Sequence, residues 1–481
     1  MKGQHFIQGQ WQAGDGPIMS RQSPLDQQTI WQANILAPVL FKSVLKAVKE
    51  AQLHWVATTL ANRITVVERF ATLLQRDIDE LATAIHLENG KPQWEAKTEV
   101  EACIKKIAIS IKAYESRTGL SNPSPTSQLQ HRPHGVFLVL GPYNFPAHLP
   151  NGHIVPALLA GNGIVFKPSE FTPLSAEKIV DLWVEAGLDP DLFAMIQGGV
   201  ETGIALTECD FDGVLFTGSW QTGQKLHRQF AGKPEVMLAL EMGGNNPLVV
   251  TETQNSKAAV YTILQSAFVS AGQRCTCARR LILVDTQANR LLVANLVKAC
   301  QQLQLHTTEK PFYGPLISQQ AANKLLSTER KLINQGASAL LSLQQIDANR
   351  PLLSPGIIDV TSLAQREDDE YFGPLLQVIW VKDFAAAILE ANNTQFGLAA
   401  GLISQDQHQW HDFQLQIKAG VVNWNQSLTG ASSAMPFGGV GRSGNYRPSA
   451  YYAADYCAWP MSSLASKAPQ LPEQLLPGVK L

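Results

Sequence analysis

From Gly135 onward the chain alternates short apolar runs with amphipathic stretches, and this alternation limits the possible folds more than any other feature. Residues 136–140 are five apolar residues in a row, and similar runs recur at 163–167, 192–196, 213–217 and 236–240. Runs this short fit strands buried on both faces better than buried helices. Between them lie helical segments such as 174–186, led by Pro173. Strands separated by helices build parallel βαβ units, so the spacing predicts an α/β fold with a doubly wound sheet. A second α/β segment follows, with a helix predicted at 258–271 and a strand at 280–284.

The first ~120 residues read mainly as helix, from apolar residues at three- and four-residue spacing. Helices are predicted at 43–60, 64–87 and 101–114, with Asn89-Gly90-Lys91-Pro92 as punctuation. The polar run Ser121-Asn122-Pro123-Ser124-Pro125-Thr126-Ser127 breaks the pattern and opens an extended arm. The stretch 451–481 carries prolines and aromatics and reads as a tail that packs on a partner subunit.

At 481 residues the chain has room for roughly two to four domains. A formal charge of −2 provides no basic footprint for nucleic acid. No window approaches the ~18 uninterrupted apolar residues of a membrane helix. The start, Met1-Lys2-Gly3-Gln4-His5-Phe6, has no apolar core of a secretion signal, so a cytoplasmic location with reduced thiols is expected. The six cysteines, Cys103, Cys209, Cys275, Cys277, Cys300 and Cys457, are scattered. They suggest neither a disulfide scaffold nor a metal site with zinc-ligand spacing.

Cys275 stands out by its setting, Gly272-Gln273-Arg274-Cys275-Thr276, downstream of Leu240-Glu241-Met242-Gly243-Gly244. A thiol that attacks carbon needs a partner to move a proton or activate water. Cys275 and Glu241 suit those two roles, each beside small residues that admit a substrate. Cys277, two positions on, reads as packing or as a resolving thiol.

Four further segments follow predicted strands or precede turns. Phe216-Thr217-Gly218-Ser219-Trp220-Gln221-Thr222-Gly223 leads from a strand into a helix predicted at 224–230. Such a turn offers N–H groups to a phosphate, or is only a turn. Lys167-Pro168-Ser169-Glu170 ends a strand, where Lys167 and Glu170 suit ribose hydroxyls or form a solvated pair. Asn144, held between aromatic and proline residues, is either an amide donor to an oxyanion or a turn former. Glu370, two positions before Phe372, suits a ribose contact beside a flat ring, or a strand edge ending at Gly373-Pro374.

Taken together, in this order and over nearly the whole length, these motifs and Pro436-Phe437-Gly438-Gly439 resemble the aldehyde dehydrogenase superfamily. Segments 141–162, 272–280 and 430–457 resemble most a semialdehyde dehydrogenase branch of bacterial arginine catabolism, whose substrate carries two carboxylates. The resemblance implies an NAD-dependent oxidation of an aldehyde through a cysteine thioester. In it Cys275 is the nucleophile, Glu241 the general base, and Asn144 with the backbone N–H of Cys275 the oxyanion hole. It places Lys167 and Glu170 at the adenosine ribose and Gly218, Ser219, Trp220, Gln221, Thr222 and Gly223 at the pyrophosphate. Glu370 and Phe372 then meet the nicotinamide ribose and ring. A carboxylated substrate calls for cationic and hydroxyl donors, and the candidates are Arg274, His148, Ser432 and Ser433. Arg274 reads otherwise as one half of a structural ion pair. The implied layout is a Rossmann-type cofactor domain (1–117 and 135–243), an α/β catalytic domain (244–450) and a small β oligomerisation element (118–134 and 451–481) in a homo-oligomer. Two rivals remain: a coenzyme-A-acylating enzyme of the same fold, and a binding protein that kept the fold without the chemistry.

Overall fold

Side-chain alternation explains the first sheet. Val136 and Leu138 enter one buried cluster while Phe137 and Val139 enter another, so the strand Val136–Leu140 has a core on each face. In this computed structural model, which describes residues 2–124, 126–305 and 310–481, five such strands lie parallel. Their order is Met237–Met242, Gly213–Gly218, Val136–Leu140, Gly163–Lys167, Phe193–Met195. Met1, and Pro125 within the proline-rich break, lie outside the described residues.

The strand order reverses between Val136–Leu140 and Gly213–Gly218. Crossovers leave this point in opposite directions, which opens a crevice beyond the carboxyl ends of the two strands. The segments beginning at Gly141 and Ser219 flank that crevice.

Residues 5–34, read as part of a helical region, instead form four short strands. His5–Ile7 and Gln10–Gln12 extend the first sheet antiparallel, and Ile18–Gln22 pairs with Thr29–Asn34. Gln10–Gln12 lies on an edge and buries little, so it carries no apolar alternation to read. The helix predicted at 64–87 is broken at Asp77, giving Leu60–Arg76 and Ile78–Asn89. The first half is anchored by burial of Phe70, whose ring stacks on Trp183 at 3.7 Å. Burying one such ring contributes about 1.5–3 kcal/mol.

The second sheet runs Ser338–Leu341, Gly356–Asp359, Leu375–Val381, Ala278–Val284, Asn246–Val250, Ala399–Ile403, Val421–Trp424, with only the first pair antiparallel. It has its own buried cluster. The chain passes from Met242, the last residue of one sheet, to Asn246, the first of a strand in the other. The carboxyl ends of the first sheet therefore meet the amino ends of the second.

The tail strand Ala458–Leu464 pairs antiparallel with Ser127–Pro133, which pairs with Ser121–Ser124. Among the described residues no helix is long and apolar enough to cross a membrane.

Candidate active site

A cavity of about 520 Å³ lies where the two sheets meet. Asn144, Glu241, Cys275, Glu370 and Phe372 are among the residues lining it. Lys167, Glu170 and residues 218–222 line it too.

The turn that presents Cys275 is built by unusual backbone. The helix Ser256–Phe268 stops three residues earlier than its apolar pattern suggests. Ser270 (φ 57°), Ala271 (φ 53°) and Gly272 (φ 71°) then follow in the left-handed region. Such conformations cost a non-glycine residue of order 1–2 kcal/mol and persist only when the surroundings enforce them. Position 272 also admits no side chain, since a Cβ there would lie 2.2 Å from the Gly373 carbonyl oxygen.

Two buried polar side chains enforce the turn. Asn246 Nδ2 donates to the carbonyls of Cys275 (2.7 Å) and Cys277 (2.9 Å). Arg279, fully buried, donates to the carbonyls of Gly272 (2.6 Å) and Arg274 (2.9 Å). Its guanidinium also lies 3.6 Å from Glu370 and over the Phe372 ring at 5.2 Å. Asn144 Nδ2 donates to the Gln273 carbonyl at 3.0 Å, which fixes that amide beside the nucleophile's turn with a second N–H still to give.

Electrostatics follow from this crowding. Burial pushes the Cys275 thiol well up, and the neighbouring Glu370, Glu241 and Cys277 add to the effect, while Arg279 opposes it. The resting sulfur is a thiol and needs a base. Burial pushes Glu241 up to about 7, against hydrogen bonding from Ser449 and the charge of Lys106. A carboxyl with that value can take a proton at neutral pH and give it back. Its Oε1 is buried without a hydrogen-bond partner among the described residues. Glu370 is likewise pushed up to about 7 by burial, opposed by Arg279 and the Gly244 N–H.

The helix predicted at 224–230 begins at Trp220 instead, so Trp220–Gly223 form its first turn. Ser219 is the N-cap, its Oγ accepting from Thr222 N at 3.3 Å. The N–H groups of Trp220 and Gln221 then have no partner within the helix, which makes this end a ready anion site. The glycine at 223 has another cause: a Cβ there would lie 2.2 Å from Met242 Sδ, so close helix–strand packing requires it. Lys167 is buried, and its Nζ lies 4.0 Å from Glu170.

The four substrate candidates stand apart from the residues lining the cavity. Arg274 pairs with Glu95 at 2.7 Å, donates to Ser270 Oγ at 2.8 Å, and lies over the Phe145 ring. His148 is half-buried beside Phe145, and desolvation followed by Lys106 and Lys91 pushes it down to about 3, so it is a neutral ring. Ser432 and Ser433 sit on a surface loop, where Ser432 caps its own turn through Ala434 N. Cys277 is fully buried and packs toward the Val269 carbonyl, and its segment is a turn, so it does not share an extended face with Cys275.

Sequence reasoning missed Asn246, Arg279, Lys106 and Ser449. A signal existed for Arg279: a buried apolar run opening on two arginines must supply partners for them. It also missed the helix Val200–Thr207, whose Val200 and Ile204 line the cavity although both are apolar and exposed.

The model of the aldehyde dehydrogenase family matches residues 11–459. An N-succinylglutamate 5-semialdehyde dehydrogenase of Ectopseudomonas mendocina (strain ymp) is 53% identical over 484 residues, covering 99% of this chain and 99% of the relative. The chain belongs to the aldehyde dehydrogenase family. Among solved structures, PnpE in complex with nicotinamide adenine dinucleotide is 27% identical with a TM-score of 0.90, covering 98% of this chain and 99% of that one. An NADP-dependent glyceraldehyde-3-phosphate dehydrogenase from Bacillus halodurans C-125, complexed with NADP, is 25% identical with a TM-score of 0.90, covering 97% of this chain and 100% of that one. The family assignment agrees with the doubly wound first sheet and the second α/β sheet expected from the sequence.

Proposed function

We propose that this aldehyde dehydrogenase oxidises N-succinylglutamate 5-semialdehyde to N-succinylglutamate with NAD, as a cytoplasmic homo-oligomer in arginine breakdown. The observation that carries the chemistry is that Cys275, Glu241 and Asn144 line the same cavity. The substrate rests on the 53% identity to the Ectopseudomonas mendocina relative.

A nicotinamide dinucleotide suits the residues present. The free first-turn N–H groups at Trp220 and Gln221 suit a pyrophosphate. Lys167 and Glu170 suit ribose hydroxyls at the carboxyl end of their strand, and Glu370 and Phe372 suit the nicotinamide end beside Cys275. Glu170 disfavours a 2′-phosphate by like charge, which supports NAD over NADP. When bound, the nicotinamide accepts the hydride that leaves the aldehyde carbon.

The chain's own groups do the rest. Glu241 takes the Cys275 proton as the sulfur attacks the aldehyde carbon. The Asn144 amide and the Cys275 N–H meet the resulting alkoxide; one such donor is worth about 10²–10³ in rate. After oxidation a thioester joins the acyl group to Cys275. Glu241 first loses the thiol's proton to solvent; it then draws a proton from water, the water oxygen bonds to the acyl carbon, the C–S bond breaks, and the leaving sulfur takes back a proton from Glu241.

Arg274, next to Cys275 in sequence and held in place by Glu95, is our candidate for a substrate carboxylate, with Ser432, Ser433 and the neutral His148 as further candidates outside the cavity lining. The first sheet with its helices serves as cofactor domain, the second as catalytic domain, and the arm–tail sheet as the oligomerisation element. The test is a screen of aldehydes with NAD or NADP, with and without coenzyme A. Cofactor reduction fastest with N-succinylglutamate 5-semialdehyde and NAD, and independent of coenzyme A, is expected. A strict requirement for coenzyme A, or no reduction with any aldehyde, would overturn the proposal.

A further inference from the structure

The helix Gln93–Thr118 buries Cys103, Lys106, Ile107 and Ser110 on one stripe. An ammonium is out of place there, because a buried charge is costly unless something answers it. Lys106 is only 4% exposed, and its Nζ makes no hydrogen bond or ion pair with the described residues. It lies against Gly152 of the helix His148–Ala160, where a Cβ would stand 3.6 Å from Nζ.

The groups around it are mostly neutral. His153 bridges Tyr456 OH (2.8 Å) and Thr217 Oγ1 (3.2 Å), and both His153 and His148 are pushed down to about 3 by burial and by Lys106. Cys103, one turn away, is held as a thiol by burial. The acidic group that feels Lys106 is Glu241. Glu241 in turn faces Ser449, Cys275, Tyr456 and Lys106, and among the described residues Lys106 is the one cation acting on it. Thr217 pairs in register with Glu241 across the sheet, so the His153 ring that meets Thr217, and the Lys106 side chain against neighbouring Gly152, sit beside the strand that carries the base.

We propose that Lys106 is a positioning residue for the second half of the reaction: its buried ammonium holds Glu241 as the carboxylate that draws the proton from the hydrolytic water. This rests on the reading of Cys275 and Glu241 given above. An opposite charge nearby favours the ionised carboxyl, so removing it raises the pH at which Glu241 becomes a base. Burial pushes Glu241 up to about 7, opposed by the Ser449 hydroxyl and then by Lys106; burial also lowers Lys106, to about 8, so it is still an ammonium at that midpoint.

The test uses 4-nitrophenyl acetate, an activated ester that acylates a thiol directly and releases 4-nitrophenolate, so neither cofactor nor natural substrate is involved. The nitrophenolate burst counts competent, folded enzyme. Hydrolysis of acetyl-Cys275 is then followed by intact mass from about pH 5 to 9. In the wild type, hydrolysis should rise with a midpoint near the Glu241 value. In Lys106→Met the midpoint should move up by about one unit, with deacylation about tenfold slower on the acid side. Lys106→Arg, which restores the charge, should move it back. Methionine in place of a buried ammonium is tolerated in an apolar setting, so the variant should fold. An unchanged midpoint in Lys106→Met overturns the proposal. A raised KM for a dianionic aldehyde with the same midpoint also overturns it, and makes Lys106 a substrate anchor instead. A wild type that never acetylates Cys275 places the failure in the underlying reading rather than in Lys106.

Discussion

The side-chain amide of Asn246 donates to the carbonyl of Cys275 at 2.7 Å and to that of Cys277 at 2.9 Å, while its Oδ1 accepts from Ala399 N at 3.0 Å. One residue thus ties the nucleophile's turn to two strands of the second sheet. Asn246→Ala leaves buried carbonyls unpaired, at about 1–3 kcal/mol for each unsatisfied group. A lower melting temperature is expected, with a single-turnover acylation rate at least about tenfold down. Unchanged acylation in a folded variant would remove Asn246 from the positioning of Cys275.

The pH dependence of acylation distinguishes a resting thiol from a resting thiolate. Burial pushes Cys275 above the usual thiol range, and burial pushes Glu241 up to about 7. Glu241 is a base only when ionised, above its own value. The cofactor-reduction burst should therefore rise through about pH 7 and level off, as Glu241 loses its proton. A rate that keeps climbing past about pH 9 would mean that thiolate formation, not Glu241, limits attack.

Arg274 is anchored by Glu95 and Ser270 and stands next to the nucleophile in sequence. Arg274→Met should raise KM for carboxylated aldehydes about tenfold or more and leave a neutral aliphatic aldehyde nearly unaffected. Equal losses on both would make Arg274 a scaffold for the turn and nothing more.

Glu170 lines the cavity beside Lys167. Glu170→Gln removes a negative charge from the ribose end, so NADP should gain about tenfold in kcat/KM relative to NAD. An unchanged ratio would place the 2′-hydroxyl elsewhere.

The parallel strands were legible because each is a short apolar run bounded by turns, and Cys275 and Glu241 were legible because small residues flank them. The rule that ligands sit beyond strand carboxyl ends located Asn144, Lys167 and Ser219, all at such ends. It could not locate the other wall, because Cys275, Glu370 and Phe372 precede their strands, Ala278–Val284 and Leu375–Val381. The partners that fix the site were illegible for a different reason. Arg274 meets Glu95 from 179 positions away, and Asn246 meets Cys275 from 29 away. No periodicity carries such pairs; only the fold brings them together.

The most direct test of covalent chemistry at Cys275 is intact-mass and peptide mapping of Glu241→Gln, rapidly quenched after mixing with N-succinylglutamate 5-semialdehyde and NAD. Expected is a burst of reduced cofactor slower than the wild type's, because attack also loses its base, with an N-succinylglutamyl thioester still accumulating on Cys275, and turnover about 10²–10⁴ slower than wild type. No adduct, or an adduct on another cysteine, would contradict it.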